Sequence, residues 1–584
     1  MGGGGTLEEK PANSQLPGTS AKAERPRHPS DHPNPKRQRG GSEEFTYHLT
    51  LKYITAFPVY KFLSNLTNLS IKSSPVNRHS HLNKFCFLIL PLILTTSSVQ
   101  ADSRLERAYE DYQTETEQLI DDLTELRVQA ARLTDRELVT EIDLKLALLS
   151  GEKEQLNTLP RKIKPEIRFD LPPDERDLHV KFRQDCEKYA QKLYLLARRS
   201  QTTSPTFAFE LINLLLQFDS DHTSARLMRG YVRQGEEWMT TFERDKLRNK
   251  EVDHPRFGWI KQDDVARYEA GERNLGNAWL SAEKEALLRQ DFNRGWDIET
   301  EHFQIKTNVG LEEGVELGRK LETFYDYFIS TFAPFYNSPA QIRQLFDSTN
   351  GRAKTRSQRY EVHYFRKKEE YVERLISRIP QIAMTNGLYQ LEDRTSYFYF
   401  DPDSNNDATI FHEVTHQLMY ESHLQKRDVG RDANFWIVEG IACYMESFTV
   451  TETPDGFEYS VGDPRFIRFY WARHRVLQEE YYVPLQIFSR LGMIPYQTGS
   501  TPELQKRYSQ ASGLAHFFMH YQKGKYRIPL MHYLAQIYHS NPTIQGNVQG
   551  LDELTGIPFP TLDRQYREYI QDQEEAVGGL DVVQ

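Results

Sequence analysis

Cysteine is scarce in this chain, with only Cys86, Cys186 and Cys443 among 584 residues. Three thiols so widely separated build neither a disulfide framework nor a cysteine-rich zinc site, so any metal here is expected on His and carboxylate. Positive charge is also short. Lys and Arg number 73 against 83 Asp and Glu, a formal net charge of −10. That balance argues against nucleic acid as a partner, because phosphate binding needs a basic face. Long apolar stretches are lacking too: the run Phe85–Leu94 (FCFLILPLIL) has ten residues, too few to span a bilayer. What is present, 38% hydrophobic, 12% aromatic and 27% charged residues, describes a globular chain with room for two to four domains.

The Phe85–Leu94 run has the length of a signal-peptide core. Lys84 precedes it, and TTSSVQA follows with Val99 and Ala101 spaced as a small-x-small cleavage signal. Residues 84–101 are therefore expected to be a signal peptide, with a buried core strand as the alternative. The mature chain then begins near Asp102, is secreted or periplasmic, and keeps no stable membrane span. The position is unusual. Upstream lies a Gly-, Pro-, Ser- and Arg-rich stretch (MGGGG, PRHPSDHPNPKRQRGG), and the next Met is Met228. Residues 1–83 are expected to be disordered or mis-assigned, with initiation nearer Val76 or Leu82 at a non-Met codon. Residues 1–101 hold 12 Lys and Arg and 6 Asp and Glu, which leaves 61 against 77 and a net −16 in the remainder. The basic PKRQRG run would not survive in an exported protein.

From Asp102 to about residue 165, Leu105, Tyr109, Tyr112, Leu119, Leu123, Leu126 and Ala130 recur at helical spacing, which predicts a long helix pair or short coiled coil. Three prolines in PEIRFDLPPDE end it. Residues 166–295 read as helical hairpins. One unit, AFELINLLLQFDSDHTSARLMRGYV, resembles part of a tetratricopeptide repeat. A repeat of that kind would offer a surface for a protein partner, and an ordinary helical hairpin is the alternative. Composition changes near Trp296. EHFQIKTNV, the first half of RYEVHYFRKKEEYVERL, and RTSYFYFD are three strand candidates. From about Asn406 onward the pattern is helical. The expected class is α+β, mostly α: an N-terminal helical region followed over 296–584 by a catalytic unit with a small sheet, an active-site helix and a helical C-terminal subdomain, and not a parallel-sheet fold.

The chemistry concentrates in DATIFHEVTHQLMYESH. His412 and His416, four apart on a helix, project from one face and can share a zinc ion. Glu413 lies beside them, where a general base for water would sit. Asn406 or Asp407 can cap the helix. A hydrolytic zinc site takes a third protein ligand, and the segment NFWIVEGIACYMESF offers Glu439, 23 residues after His416. Trp436, Ile437, Ile441 and Tyr444 read as its packing residues.

HExxH followed by a Trp-x-x-Glu-Gly-x-Ala-x-Tyr-x-Glu helix resembles the gluzincin metallopeptidases, including thermolysin-like and aminopeptidase-N-like enzymes, and most nearly an uncharacterised family of secreted bacterial gluzincin-like proteins. The resemblance covers about 296–584. It implies a zincin-type domain, Zn2+ on His412, His416 and Glu439, Glu413 as general base, and Tyr508, in KRYSQASGLAHFFMHY, as oxyanion donor. His516 and His520 are alternative donors that also suit packing. Glu446, seven residues after Glu439, is a candidate acceptor for a ligand imidazole N–H, or a surface salt-bridge residue. A metzincin would need Gly at 419 and His at 422, where Met419 and Ser422 stand; His423 is one residue out of register. The Gly-x-Met-Glu-Asn strand of the aminopeptidases is absent, with TNGLYQ and RTSYFYF in its place. The implied activity is that of a secreted zinc endopeptidase on peptide or protein substrates. The alternative is a catalytically silent zincin-like scaffold that binds partners through its helical region.

Overall fold

The computed structural model describes residues 90–150, 159–276, 278–347, 358–402, 406–422, 429–453 and 456–583. Its class is α+β and mostly helical. Most of the segment read as extension and signal peptide, and His423, lie outside the described residues. Among those described, no helix is long and apolar enough to cross a membrane.

Four helices form an N-terminal layer: α1 (Leu90–Arg132), α2 (Arg136–Ser150), α3 (Pro173–Ser200) and α4 (Pro205–Phe218). Leu119, Leu123, Leu126 and Ala130 of the α1 stripe are buried against α2 and α3, in one cluster with Leu193, Ile212 and Leu215. Burial of each such side chain contributes roughly 1.5–3 kcal/mol.

Residues 232–281 correct the helical expectation for 166–295. They carry three two-stranded hairpins: β1 (Val232–Gln234) with β2 (Glu237–Met239), β3 (Glu251–His254) with β4 (Gly258–Lys261), and β5 (Glu272–Leu275) with β6 (Ala278–Ser281). A short helix follows each hairpin, at Thr241–Arg248, Val265–Glu269 and Ala282–Leu288. The second strands hold Trp238, Trp259 and Trp279, which recur at 21 and 20 residues. Gly235 and Gly276 turn the first and third hairpins at φ +65° each, a conformation that favours glycine. Thr240 and Ser281 cap the helices that follow. Strands of three or four residues are too short for alternation to register, and that is why the sequence pattern concealed them.

The unit over 296–584 is built on a five-stranded sheet: β7 (Trp296–Glu299), β8 (Phe303–Thr307), β9 (Tyr360–Phe365), β10 (Gly387–Gln390) and β11 (Thr395–Tyr399), in the order β10-β11-β9-β8-β7. The three candidate strands are β8, β9 and β11. They run parallel to one another, while β7 and β10 are antiparallel edges. The sheet is thus mixed. The helix Leu311–Thr331 packs on β7 and β8, close enough that a Cβ on Gly314 would meet Ile298 at 2.2 Å. Its Phe324 stacks on Phe411 at 4.8 Å, which fixes the helix Asp407–Ser422 from one side.

Candidate metal centre

The helix Asp407–Ser422, which carries His412, Glu413 and His416, lies against β10 and β11. Asn406 accepts the first helical hydrogen bond, from Ile410 N at 3.0 Å, and its side-chain amide donates to Tyr399 O at 3.0 Å. The Asp407 carboxylate pairs with Lys320 at 3.1 Å. Gln417, buried, accepts from Ser396 Oγ at 2.8 Å and donates to Glu361 O and Arg394 O. These contacts fix the helix rotation, and with it the face on which His412 and His416 stand.

That face meets the helix Phe435–Met445, which carries Glu439. Gly440 touches the carbonyl of Ala511, where an added Cβ would come within 2.9 Å. A glycine after Glu439 therefore lets the helix Thr501–Gly524 close on the site. The His412 and His416 Nε2 atoms are 3.2 Å apart, and Glu439 Oε2 is 3.6 Å from His412 Nε2. The three ligand atoms lie within 4.8 Å of one another, and all three residues are 0% exposed. Tetrahedral zinc with bonds of about 2.0–2.1 Å sets its ligand atoms ~3.3 Å apart. Both carboxylate oxygens of Glu439 are buried with no hydrogen-bond partner among the described residues. A buried carboxylate that accepts no hydrogen bond and has only an imidazole at 3.6 Å beside it is costly by several kcal/mol, so this donor set fits a divalent cation.

The surrounding groups orient the trio. Glu446, one residue past the helix end, has Oε1 2.8 Å from His412 Nδ1. Arg468 grips the same carboxylate with Nε at 2.7 Å and Nη2 at 2.8 Å. Burial opposes the charge on Glu446, but Arg468 and His412 outweigh it and hold the carboxyl down at about 2. An ionised Glu446 accepts from His412 Nδ1–H and leaves Nε2 as the ligating atom. Burial, and then His412, push the His416 pKa well below its usual value, which keeps that imidazole neutral. Glu413 is 1% exposed and accepts from the backbone N–H of Tyr389 on β10 at 2.8 Å. Burial pushes its carboxyl up to about 7, against the lowering pull of His412 and that N–H.

Tyr508, on the helix Thr501–Gly524, is 7% exposed. Its pKa is well above the usual phenol value, from burial first and the Glu439 charge second. The structure thus brings His412, Glu413, His416, Glu439, Glu446 and Tyr508 into one neighbourhood. His516 and His520 are engaged elsewhere. His516 bonds Gly462 O at 3.0 Å and Tyr569 Oη at 2.7 Å, and His520 Nε2 lies 2.9 Å from Tyr444 Oη.

Sequence reasoning missed four neighbours. Cys443 joins His412 and Glu446 in a second set of closely spaced donor atoms; its position four residues after Glu439 on one helix was the available signal. Arg468 comes from a distant helix and gave none. Tyr496 and Tyr538 are buried, feel the Glu439 charge, and have hydroxyls without a hydrogen-bond partner among the described residues.

Over residues 406–542, which contain all six of the residues brought together, the chain is similar to a family described as a protein of unknown function (DUF1570). No curated protein and no solved structure matches the chain.

Proposed function

We propose that the chain is a zinc-dependent peptidase, exported by way of residues 84–101, that hydrolyses internal peptide bonds of extended substrates. The observation that carries this reading is the Glu439 carboxylate, buried and without a hydrogen-bond partner beside two imidazole Nε2 atoms, with Glu413 held next to them. A zinc ion on His412, His416 and Glu439 would supply a Lewis acid that acidifies water and polarises a carbonyl. The chain's own residues do the rest. Glu413 takes a proton from the attacking water and returns it to the leaving amine. The Tyr389 N–H fixes one Glu413 oxygen and leaves the other for that transfer. Glu446, clamped by Arg468, holds the His412 ring. The Tyr508 hydroxyl donates to the oxyanion as the carbonyl carbon becomes tetrahedral.

A second reading, a catalytically silent scaffold, is favoured by one observation: His412, His416 and Glu439 are closed off from solvent. A peptide-library digest separates the two. The peptidase reading expects cleavage that a chelator abolishes and added zinc restores. A zinc-loaded chain that cleaves nothing in the library supports the scaffold.

A further inference from the structure

A cavity of about 500 Å³ opens between the three hairpin units, the helix Leu311–Thr331 and the sheet. That volume is within the range of ligand sites, about 300–1,000 Å³. Every residue of β7 lines it, as do Thr300 and Glu301 just after, while no residue of β8 does. Side chains of a strand alternate between the two faces of a sheet, so a strand that lines a cavity along its whole length borders it with its edge. β7 ends the sheet and pairs with β8 alone. The Thr300 N–H donates to Phe303 O at 3.0 Å, on the β8 side. Backbone polar groups point in alternate directions along a strand. The N–H groups of Trp296 and Ile298 therefore face β8 too, and the N–H and C=O groups of Asp297 and Glu299 face outward over the cavity.

The charge of the wall says what such an edge would accept. Eight carboxylates stand there against three cations, Lys246, Arg289 and Arg319. Those cations are already engaged: Arg319 meets Asp253 at 2.8 Å, Arg289 meets Glu285 at 2.7 Å, and Lys246 meets Glu299 at 3.0 Å. Burial raises the Glu243 carboxyl above its usual value, and the charges of Glu301 and Asp253 add to that against the pull of the Thr240 N–H and Arg161. On the edge itself the Asp297 side chain is 64% exposed and meets Lys306 of β8 at 3.3 Å. An acidic edge repels the same edge of a second copy. It suits a basic strand, because side chains directly opposite across a strand pair lie about 4.5–5.5 Å apart on one face, and opposite charges there attract.

We propose that the β7 edge takes up, as a sixth strand, an extended segment of a protein partner that carries Lys or Arg at alternate positions. Main-chain hydrogen bonds to Asp297 and Glu299 hold the segment, and its basic side chains lie over the two carboxylates. The site is separate from the candidate metal centre and does not depend on hydrolysis there. The test is fluorescence anisotropy with a blocked, dye-labelled octapeptide of alternating Lys and Thr, titrated with the full chain carrying Glu413→Gln so that the probe is not cut. The peptide should bind, and more weakly as salt is added. N-methylating one alternate set of its amides should weaken binding at least about tenfold, because those amides donate to the edge, while methylating the other set is tolerated. Asp297→Lys, made in the same chain at an exposed position and checked for native circular dichroism, should weaken binding about fivefold. The two methylated peptides decide the matter if that variant does not fold. The inference is overturned if the Lys-Thr peptide does not bind, if both methylated forms bind alike, if folded Asp297→Lys binds as tightly as its parent, or if an alternating Glu-Thr peptide binds equally well.

Discussion

The candidate metal centre and the hairpin array flank the same long helix and treat charge in opposite ways. At the centre, His412, His416 and Glu439 are sealed from solvent and the Glu439 oxygens lack a hydrogen-bond partner among the described residues. In the hairpins, charges sit nearer the surface and find each other, as Lys261 and Glu251 do at 2.9 Å across β3 and β4. Exposed pairs of this kind contribute little, because water screens them. A sealed carboxylate that accepts no hydrogen bond is sustained only by positive charge beside it. The contrast teaches where to look for a ligand: at the centre, on the charge itself.

Substitutions sharpen that contrast, and the largest effect belongs to Glu413. Glu413→Gln should keep the fold and the metal yet lose hydrolysis by about 10²–10⁴-fold, the range of general acid–base contributions. Steady-state assays within about tenfold of wild type would remove Glu413 from that role. Tyr508→Phe should lower kcat about 10²–10³-fold with KM and zinc content nearly unchanged, because its hydroxyl acts once the oxyanion forms. A kcat within a few-fold of wild type would make Tyr508 a packing residue, and the buried hydroxyls of Tyr496 and Tyr538 would be the next donors to examine. Glu446→Gln should weaken zinc binding about 10–100-fold in a competition titration, as loss of an orienting partner does elsewhere; an unchanged affinity would reduce Glu446 to a structural ion pair. Smallest of all, Lys261→Ala in the array should shift unfolding by less than about 1 kcal/mol. A larger loss in chemical denaturation would show that the hairpin ion pairs carry more of the fold than their exposure implies.

Legibility in the sequence follows the same divide. His412 and His416 stood out because a helix face imposes a four-residue spacing, and Glu439 because it opens a second dense motif. The strands β8, β9 and β11 showed in their alternation of apolar and polar or aromatic residues. Their parallel direction did not, since direction depends on how distant segments cross and not on local pattern. The three hairpins were hidden by strands too short for periodicity, although the Trp238, Trp259 and Trp279 spacing was a repeat signal within reach. Arg468 could not be foreseen. Its contact with Glu446 exists only because two helices meet in the folded chain.

The central claim is that Glu439 completes a metal site with His412 and His416. Metal content of the purified chain by mass spectrometry, wild type beside Glu439→Gln and both dialysed against the same buffer, tests it most directly. The account predicts about one zinc per chain in wild type and little in Glu439→Gln, whose neutral amide removes the charge that calls for a cation. Equal zinc in the two proteins, or none in either after zinc is supplied, would contradict it.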